Sequence, residues 1–297
     1  MDRGNAAGMV NRVHRYSTGS YSVTFPGVDN GTGGNVMVSA MNVNPRYCVV
    51  NSWSPSSAGV VAYVTCFLLN GTPADSAFSV SFLAGGTGSG QVAYLWANSP
   101  ASTDYAPAAN YSFNSTYGAN TIHRINAGGY LVRLGGMDPD HGDIQVTPYG
   151  GVRCVVGETS SEGGDLVVGV RCPSGDAQFD LLYTRNVGLT GVYRPKAAYL
   201  SATRPTTASY TPIPEHRYSS VSMASNVTRT AVGRYVVTLP GMLKGGGAHV
   251  TAAGVAPVPA FCQLASIRTT TPQKVGVRCF MRCWRRLRNA NAIHCDP

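Results

Sequence analysis

The stretch GSYSVTFPG at Gly19–Gly27 returns as GGYLVRLGG at Gly128–Gly136 and as GRYVVTLPG at Gly233–Gly241. Tyr21, Tyr130 and Tyr235 stand 109 and 105 positions apart. Two cysteines follow each time, Cys48 and Cys66, Cys154 and Cys172, Cys262 and Cys279, separated by 18, 18 and 17 positions. Upstream, NRVHR at Asn11–Arg15 parallels NTIHR at Asn120–Arg124 and, more loosely, NVTR at Asn226–Arg229. Landmarks in one order, three times over, define a unit of about 107 residues. Features shared by all three copies serve the fold of the unit; features of one copy are drift or specialisation.

Within a copy the pattern is that of short strands. The first reads RVHRYS, SYSVTF, NVMVSAM, YCVVNSW, VVAYVTCFLL, AFSVSF and VAYLWA, with Gly, Pro, Asn and Ser between. Alternating β-branched and aromatic runs bounded by such residues form half-buried strands. Asn70–Gly71 suits a two-residue hairpin turn. The expected fold is all-β: three tandem β-sandwich repeats, Ig-like or jelly-roll-like, the third truncated. The boundaries fall at 1–98, 110–203 and 214–297. Between them lie Ser99–Asn110, SPASTDYAPAAN, and Thr203–His216, TRPTTASYTPIPEH, which read as extended connectors. Three beads on a string is the expected arrangement, and a closed assembly of three units the alternative.

Composition narrows the function classes. Only 12% of residues are charged, with three Glu and three Lys among 297, too few to coat the polar faces of long helices. The net charge of +9 is dispersed except for residues 281–297, which hold four Arg and one Asp. Dispersed charge of that size does not mark a nucleic-acid binder, whose basic residues cluster on one element. No run of 18 apolar residues suggests a membrane-spanning helix, and MDRGNAAGMVNRVHRYS has no apolar core of the kind a signal peptide needs.

A cysteine pair at the same place in each copy is read as a disulfide, Cys48–Cys66, Cys154–Cys172 and Cys262–Cys279, which implies export to an oxidising compartment. Zinc fits poorly, since it takes four closely spaced ligands; buried free thiols are the remaining alternative. Cys283 and Cys295 fall outside the pattern, in the ending MRCWRRLRNANAIHCDP. That ending lacks the G-x-P-x-D-x-x-F text and the strand that follow the second cysteine of copy one. It reads as a stretch from a shifted frame or a replacement, or as an Arg/Trp tail for polyanions around Arg282, Trp284, Arg285, Arg286 and Arg288. Residues after about Phe280 are expected to pack poorly.

No catalytic residues are expected. G-x-S-x-G, H-E-x-x-H, phosphate-loop and dinucleotide fingerprints are missing from the sequence, and no Glu recurs across copies as a glycosidase pair would require. His14 and His123 are matched, next to Arg15 and Arg124, without a nucleophile suggested nearby. Asp138, Asp140 and Asp143 in DPDHGD form a calcium candidate, although turns use the same residues. Trp53, Trp96, Tyr105 and Tyr111 are the ligand-binding candidates, aromatic faces that could stack on sugar rings, with packing at unit ends as the plainer reading.

The text G-x-Y-x-V-x-[FL]-P-G, followed by Val/Thr/Ala strands and a Y-C…V-x-C-F pair, resembles repeats in uncharacterised secreted bacterial proteins. Over the one strand it also resembles trimeric tail-fibre and complement-like jelly rolls. Neither resemblance implies an activity or a cofactor. The expected function is a non-catalytic secreted or cell-surface protein with an adhesion, ligand-binding or spacer role toward a glycan or surface polymer; a secreted hydrolase-like or toxin protein with a site at a repeat junction is the alternative.

Overall fold

A computed structural model describes residues 4–28, 33–85, 90–140, 142–187, 196–242, 246–253, 261–268 and 270–280. Apart from single 3₁₀ turns at Ala109–Tyr111 and Pro214–His216, every regular element among them is a β-strand. No helix is long and apolar enough to cross a membrane.

The first 83 residues hold β1 (Arg12–Ser17), β2 (Ser20–Pro26), β3 (Asn35–Met41), β4 (Tyr47–Ser56), β5 (Gly59–Phe67) and β6 (Ala77–Leu83). One antiparallel sheet has the order β1-β2-β5-β4. β3 pairs with β6 and lies over that sheet: Val36, Val38 and Ala40 meet Tyr21, Val23 and Phe25 in one core. The alternation of the repeated strand therefore does what a period of two demands, placing Tyr21, Val23 and Phe25 on one face. Asn70–Gly71 does turn the chain, with Leu68 N–H donating to the Thr72 carbonyl at 2.8 Å. The turn does not close a two-strand ladder, because β5 and β6 belong to different sheets.

The next elements are β7 (Gln91–Trp96), β8 (Asp104–Tyr105), β9 (Ser112–Asn114), β10 (Asn120–Asn126), β11 (Gly129–Leu134), β12 (Asp143–Pro148), β13 (Val155–Glu162), β14 (Asp165–Arg171) and β15 (Phe179–Arg185). They form two facing sheets, β13-β14-β11-β10-β8 and β12-β15-β7-β9. Their shared core holds Tyr130, Val132 and Leu134 against Leu95, Phe179, Leu181 and Tyr183. β7 pairs with β15 over its whole length, so this sheet crosses the expected boundary at residue 98. The 99–110 connector is not a free tether either, since its β8 pairs with β10.

The last set is β16 (Ala198–Leu200), β17 (Ser209–Tyr210), β18 (Arg217–Ser219), β19 (Asn226–Ala231), β20 (Arg234–Leu239), β21 (Phe261–Arg268) and β22 (Gln273–Phe280). The order β17-β19-β20-β22-β21 matches β8-β10-β11-β14-β13, and the pair β16-β18 matches β7-β9. The correspondence extends to irregularities. The register slips after Arg15, Arg124 and Arg229 in the three first hairpins, and a second slip follows Val50, Val156 and Leu264.

All three expected disulfides are present, with Cα–Cα distances of 4.0, 4.1 and 4.0 Å. These are shorter than a typical 4.4–6.8 Å span, because each bond joins neighbouring strands of a hairpin; Cys48 and Cys262 directly face Cys66 and Cys279. Cys283 and Cys295, with the whole of 281–297, lie outside the described residues, as does the expectation made for that ending.

The three stretches are held to one another by a cycle of equivalent contacts. Val38 N–H donates to Thr147 Oγ1 at 3.0 Å, Val146 N–H to Thr251 Oγ1 at 3.2 Å, and Val250 N–H to Ser39 Oγ at 3.1 Å. Parallel bridges repeat the same cycle: Val50 with Tyr149, Val156 with Ala253, and Leu264 with Met41. Each bridge uses the second residue after a first cysteine and the third residue after a seam valine. The seam carries burial too, with Met37 of β3 packed on Val92, Tyr94 and Leu182.

Candidate functional site

The three copies of the repeated strand share a corner, and the corner defines what is missing in one of them. Gly19, Gly128 and Gly233 have φ of +73°, +75° and +63°, and a Cβ on each would stand 2.5, 2.2 and 2.4 Å from the carbonyl oxygen of Cys66, Cys172 and Cys279. Only glycine fits there. In the first copy the Asp75 carboxylate accepts from Arg15 Nε at 2.9 Å and Nη2 at 2.8 Å, from Gly19 N–H at 2.9 Å and from the Tyr21 hydroxyl at 2.8 Å. Asp176 repeats this with Arg124 at 2.9 and 2.8 Å, Gly128 N–H at 2.9 Å and Tyr130 at 3.1 Å. The paired guanidinium, then the glycine N–H and the tyrosine hydroxyl, hold both carboxyls far below the usual carboxylate range. Each Asp is followed three residues later by the first aromatic of the next strand, the half-buried Phe78 or the buried Phe179.

At the third corner Arg229, Gly233 and Tyr235 are present, and no such acid meets them among the described residues. The Tyr235 hydroxyl donates instead to the Pro205 carbonyl at 3.0 Å, and no side-chain partner of Arg229 occurs among the described residues. Tyr235, Val237 and Leu239 are half-buried, where Tyr130, Val132 and Leu134 are fully buried. That face lines a cavity of about 3600 Å³. The same cavity is lined by Tyr21, Val23, Phe25 and the β6 residues Phe78, Val80 and Phe82, and by Asp143, Gln145, His249 and Thr251 near the seam. Burial pushes the Asp143 carboxyl up to about 6 and His249 down to about 4. Ser39 Oγ lies 3.4 Å from His249 Nδ1.

The aromatic candidates divide. Trp53, Trp96 and Tyr111 come together, with ring centroids 5.1 Å apart for Trp53–Tyr111 and 5.2 Å for Trp96–Tyr111. Tyr149 stacks on Trp96 at 5.7 Å. The cluster joins the first stretch to the second and is turned inward: Trp53 is 8% exposed. Tyr105 stands apart on β8, packed against the core of the second stretch. Asp138, Asp140 and Asp143 do not gather into a ligand set. Asp138 pairs with Arg185 at 2.8 Å, Asp143 accepts from Gln145, and no group of three metal-binding side chains occurs among the described residues. His123 Nδ1 lies 2.7 Å from Asp104 Oδ1, whereas His14 contacts Tyr16 edge-on with centroids 4.5 Å apart.

That last contact belongs to a patch the sequence reading passed over. Tyr16, 57% exposed, stacks on Tyr63, 39% exposed, with centroids 6.4 Å apart. His14, Tyr16 and Tyr63 thus present three rings on the outer face of the β1-β2-β5-β4 sheet. Every residue of β1, RVHRYS, is exposed. Gly169 and Gly276 take the place of Tyr63 in the other copies, so the patch belongs to the first copy alone.

No protein-family model matches the chain, and neither the curated proteins nor the solved structures give a match to it.

Proposed function

We propose that the chain is a non-catalytic secreted or cell-surface protein that binds a glycan or surface polymer, built from three copies of a β-sandwich unit closed into a ring. The closed ring is supported by the cyclic Val–Ser/Thr seam, and the extracellular setting by the three disulfides. The observation that carries the binding role is the exposed His14–Tyr16–Tyr63 patch. Stacked aromatics at a surface cost free energy in water unless something covers them, and a sugar ring offers an apolar face of the same width. Trp53, Trp96 and Tyr111 act in this reading as packing between copies.

Glycan-array binding of the purified protein tests the proposal. A bound class is expected, with at least tenfold loss in a Tyr16→Ala/Tyr63→Ala double variant of unchanged melting temperature. Array binding unaffected by that variant would move the site elsewhere; no binding to any glycan or polymer would remove the role.

A hydrolase at a junction is the second reading, and Asp143 and His249 favour it by lining one cavity with pKa values moved by burial. Hydrolysis of ester or glycoside reporters that Asp143→Asn abolishes would establish it.

A further inference from the structure

We infer that the third copy holds a groove for one β-strand of the pattern Asp-x-x-Phe-x-h-x-h, with h apolar, donated by a partner polypeptide. The second copy shows what such a groove contains. There β15 lies between β12 and β7, paired along both edges, with Phe179, Leu181 and Tyr183 turned onto the Tyr130–Leu134 face. In the third copy Val250 and Thr251 occupy the seam position of β12, and β16 occupies the position of β7, pairing only with β18. Among the described residues no strand stands between them. Ala198–Leu200 and Gly246–Ala253 line the same cavity as Tyr235, Val237 and Leu239.

Three independent features give the absent strand a chemical identity. Open backbone edges ask for an extended segment, as in strand addition. The half-exposed Tyr235, Val237 and Leu239 ask for apolar side chains at alternate positions. Arg229, without a side-chain partner among the described residues, stands beside Gly233 N–H and the diverted Tyr235 hydroxyl and asks for a carboxylate three residues ahead of the first of them. Asp75–Leu83 and Asp176–Arg185 are two examples of that text in this chain, each with its acid in the equivalent corner. A partner is thus recognised by its Asp-x-x-Phe start and by strand pairing, neither of which a sugar provides.

The test uses the full chain and a labelled peptide of the β6 text, DSAFSVSFL, followed by fluorescence anisotropy. Saturable one-to-one binding is expected. An Asp→Asn peptide should bind about tenfold more weakly, the difference a charge-assisted bidentate pair makes. Arg229→Ala protein should weaken the parent peptide by the same factor and leave the Asn peptide unchanged, as coupled partners do. Among the described residues Arg229 has no side-chain partner to lose, so this variant should melt like the parent. Equal binding of the two peptides, no effect of Arg229→Ala, or no saturable binding would overturn the inference. Binding seen only after deletion of residues 281–297 would also overturn it, since the chain itself would then fill the groove.

Discussion

The sheets around β11 and around β20 have the same strand order, the same register slips and the same disulfide, yet among the described residues the inner face of one is fully buried and that of the other half-buried. Tyr130, Val132 and Leu134 are each 0% exposed; Tyr235, Val237 and Leu239 sit half open on a strand of the same pattern. The hairpins therefore form from local text, while the interior depends on a strand delivered from far along the chain. β15 begins 45 residues after the end of β11, and among the described residues the β19–β22 sheet has no counterpart of it. Cross-strand pairs and a disulfide are enough to hold a sheet in register; they do not bury its inner face.

The sharpest way to break this comparison is a charge on each copy of the repeated strand. Val132→Asp should cost several kcal/mol, because it buries an unpaired carboxylate. Val237→Asp should cost about 1 kcal/mol or less, because water reaches that face. Chemical denaturation of the two variants decides the matter, and equal losses would mean that the third face is covered after all.

Removing a disulfide comes next in size. Paired Cys→Ala changes at Cys154/Cys172 should cost about 3 kcal/mol for a loop of this length. The half-exposed Cys262–Cys279 bond should be the first reduced under mild thiol, since both partners of the other two bonds are buried. Mass mapping after timed quenching would show the order.

The acid corners separate the copies by pH. Asp75 and Asp176 have lowered pKa values, so the stability they contribute is complete above the unfolded value near 3.9 and is lost as pH falls toward their folded values. An Asp75→Asn/Asp176→Asn variant should flatten the acid limb of a stability–pH curve. Asp143 has the opposite sign. Its carboxyl is raised to about 6, so its contribution is complete below about 4 and lost as pH rises through 6. Asp143→Asn should remove that decline.

The smallest effect belongs to the arginines. Arg124→Ala takes a bidentate partner from Asp176 and should lower the melting temperature by a few degrees; Arg229→Ala should leave it unchanged.

Much of this was legible in the sequence, for reasons that also set the limit. Alternation placed the strands, and constant spacing placed the disulfides, because both are local regularities. The ownership of β7 was not legible. The Pro- and Ser-rich text after Trp96 marks a loop, but which sheet takes the strand before it is decided by β15, more than 80 residues later. The seam was hidden for a similar reason: Val38–Ser39, Val146–Thr147 and Val250–Thr251 are two-letter matches whose meaning lies in contacts between copies. Asp75 and Asp176 were visible as text, G-x-P-x-D-x-x-F in the first case, yet the partner that explains them, an arginine one hairpin upstream, shows only in three dimensions. Trp53, Trp96 and Tyr111 looked like surface rings because each sits near a turn, and they are drawn inward by one another.

The seam also sets a timetable. Two of its joints link neighbouring thirds of the chain, but Ser39 meets Val250 across 211 positions. That joint closes the longest loop and repays its entropy last. On a ribosome the stretches that carry Val38 and Thr147 can dock while Val250 is still to be made, with the hydroxyl of Ser39 and the edge at Met41 waiting in solvent. Nascent chains would spend that interval with the Ser39 joint unmade, and that is the stage at which a foreign strand, or a neighbouring nascent chain, could most easily take the place that Val250 and Thr251 later fill.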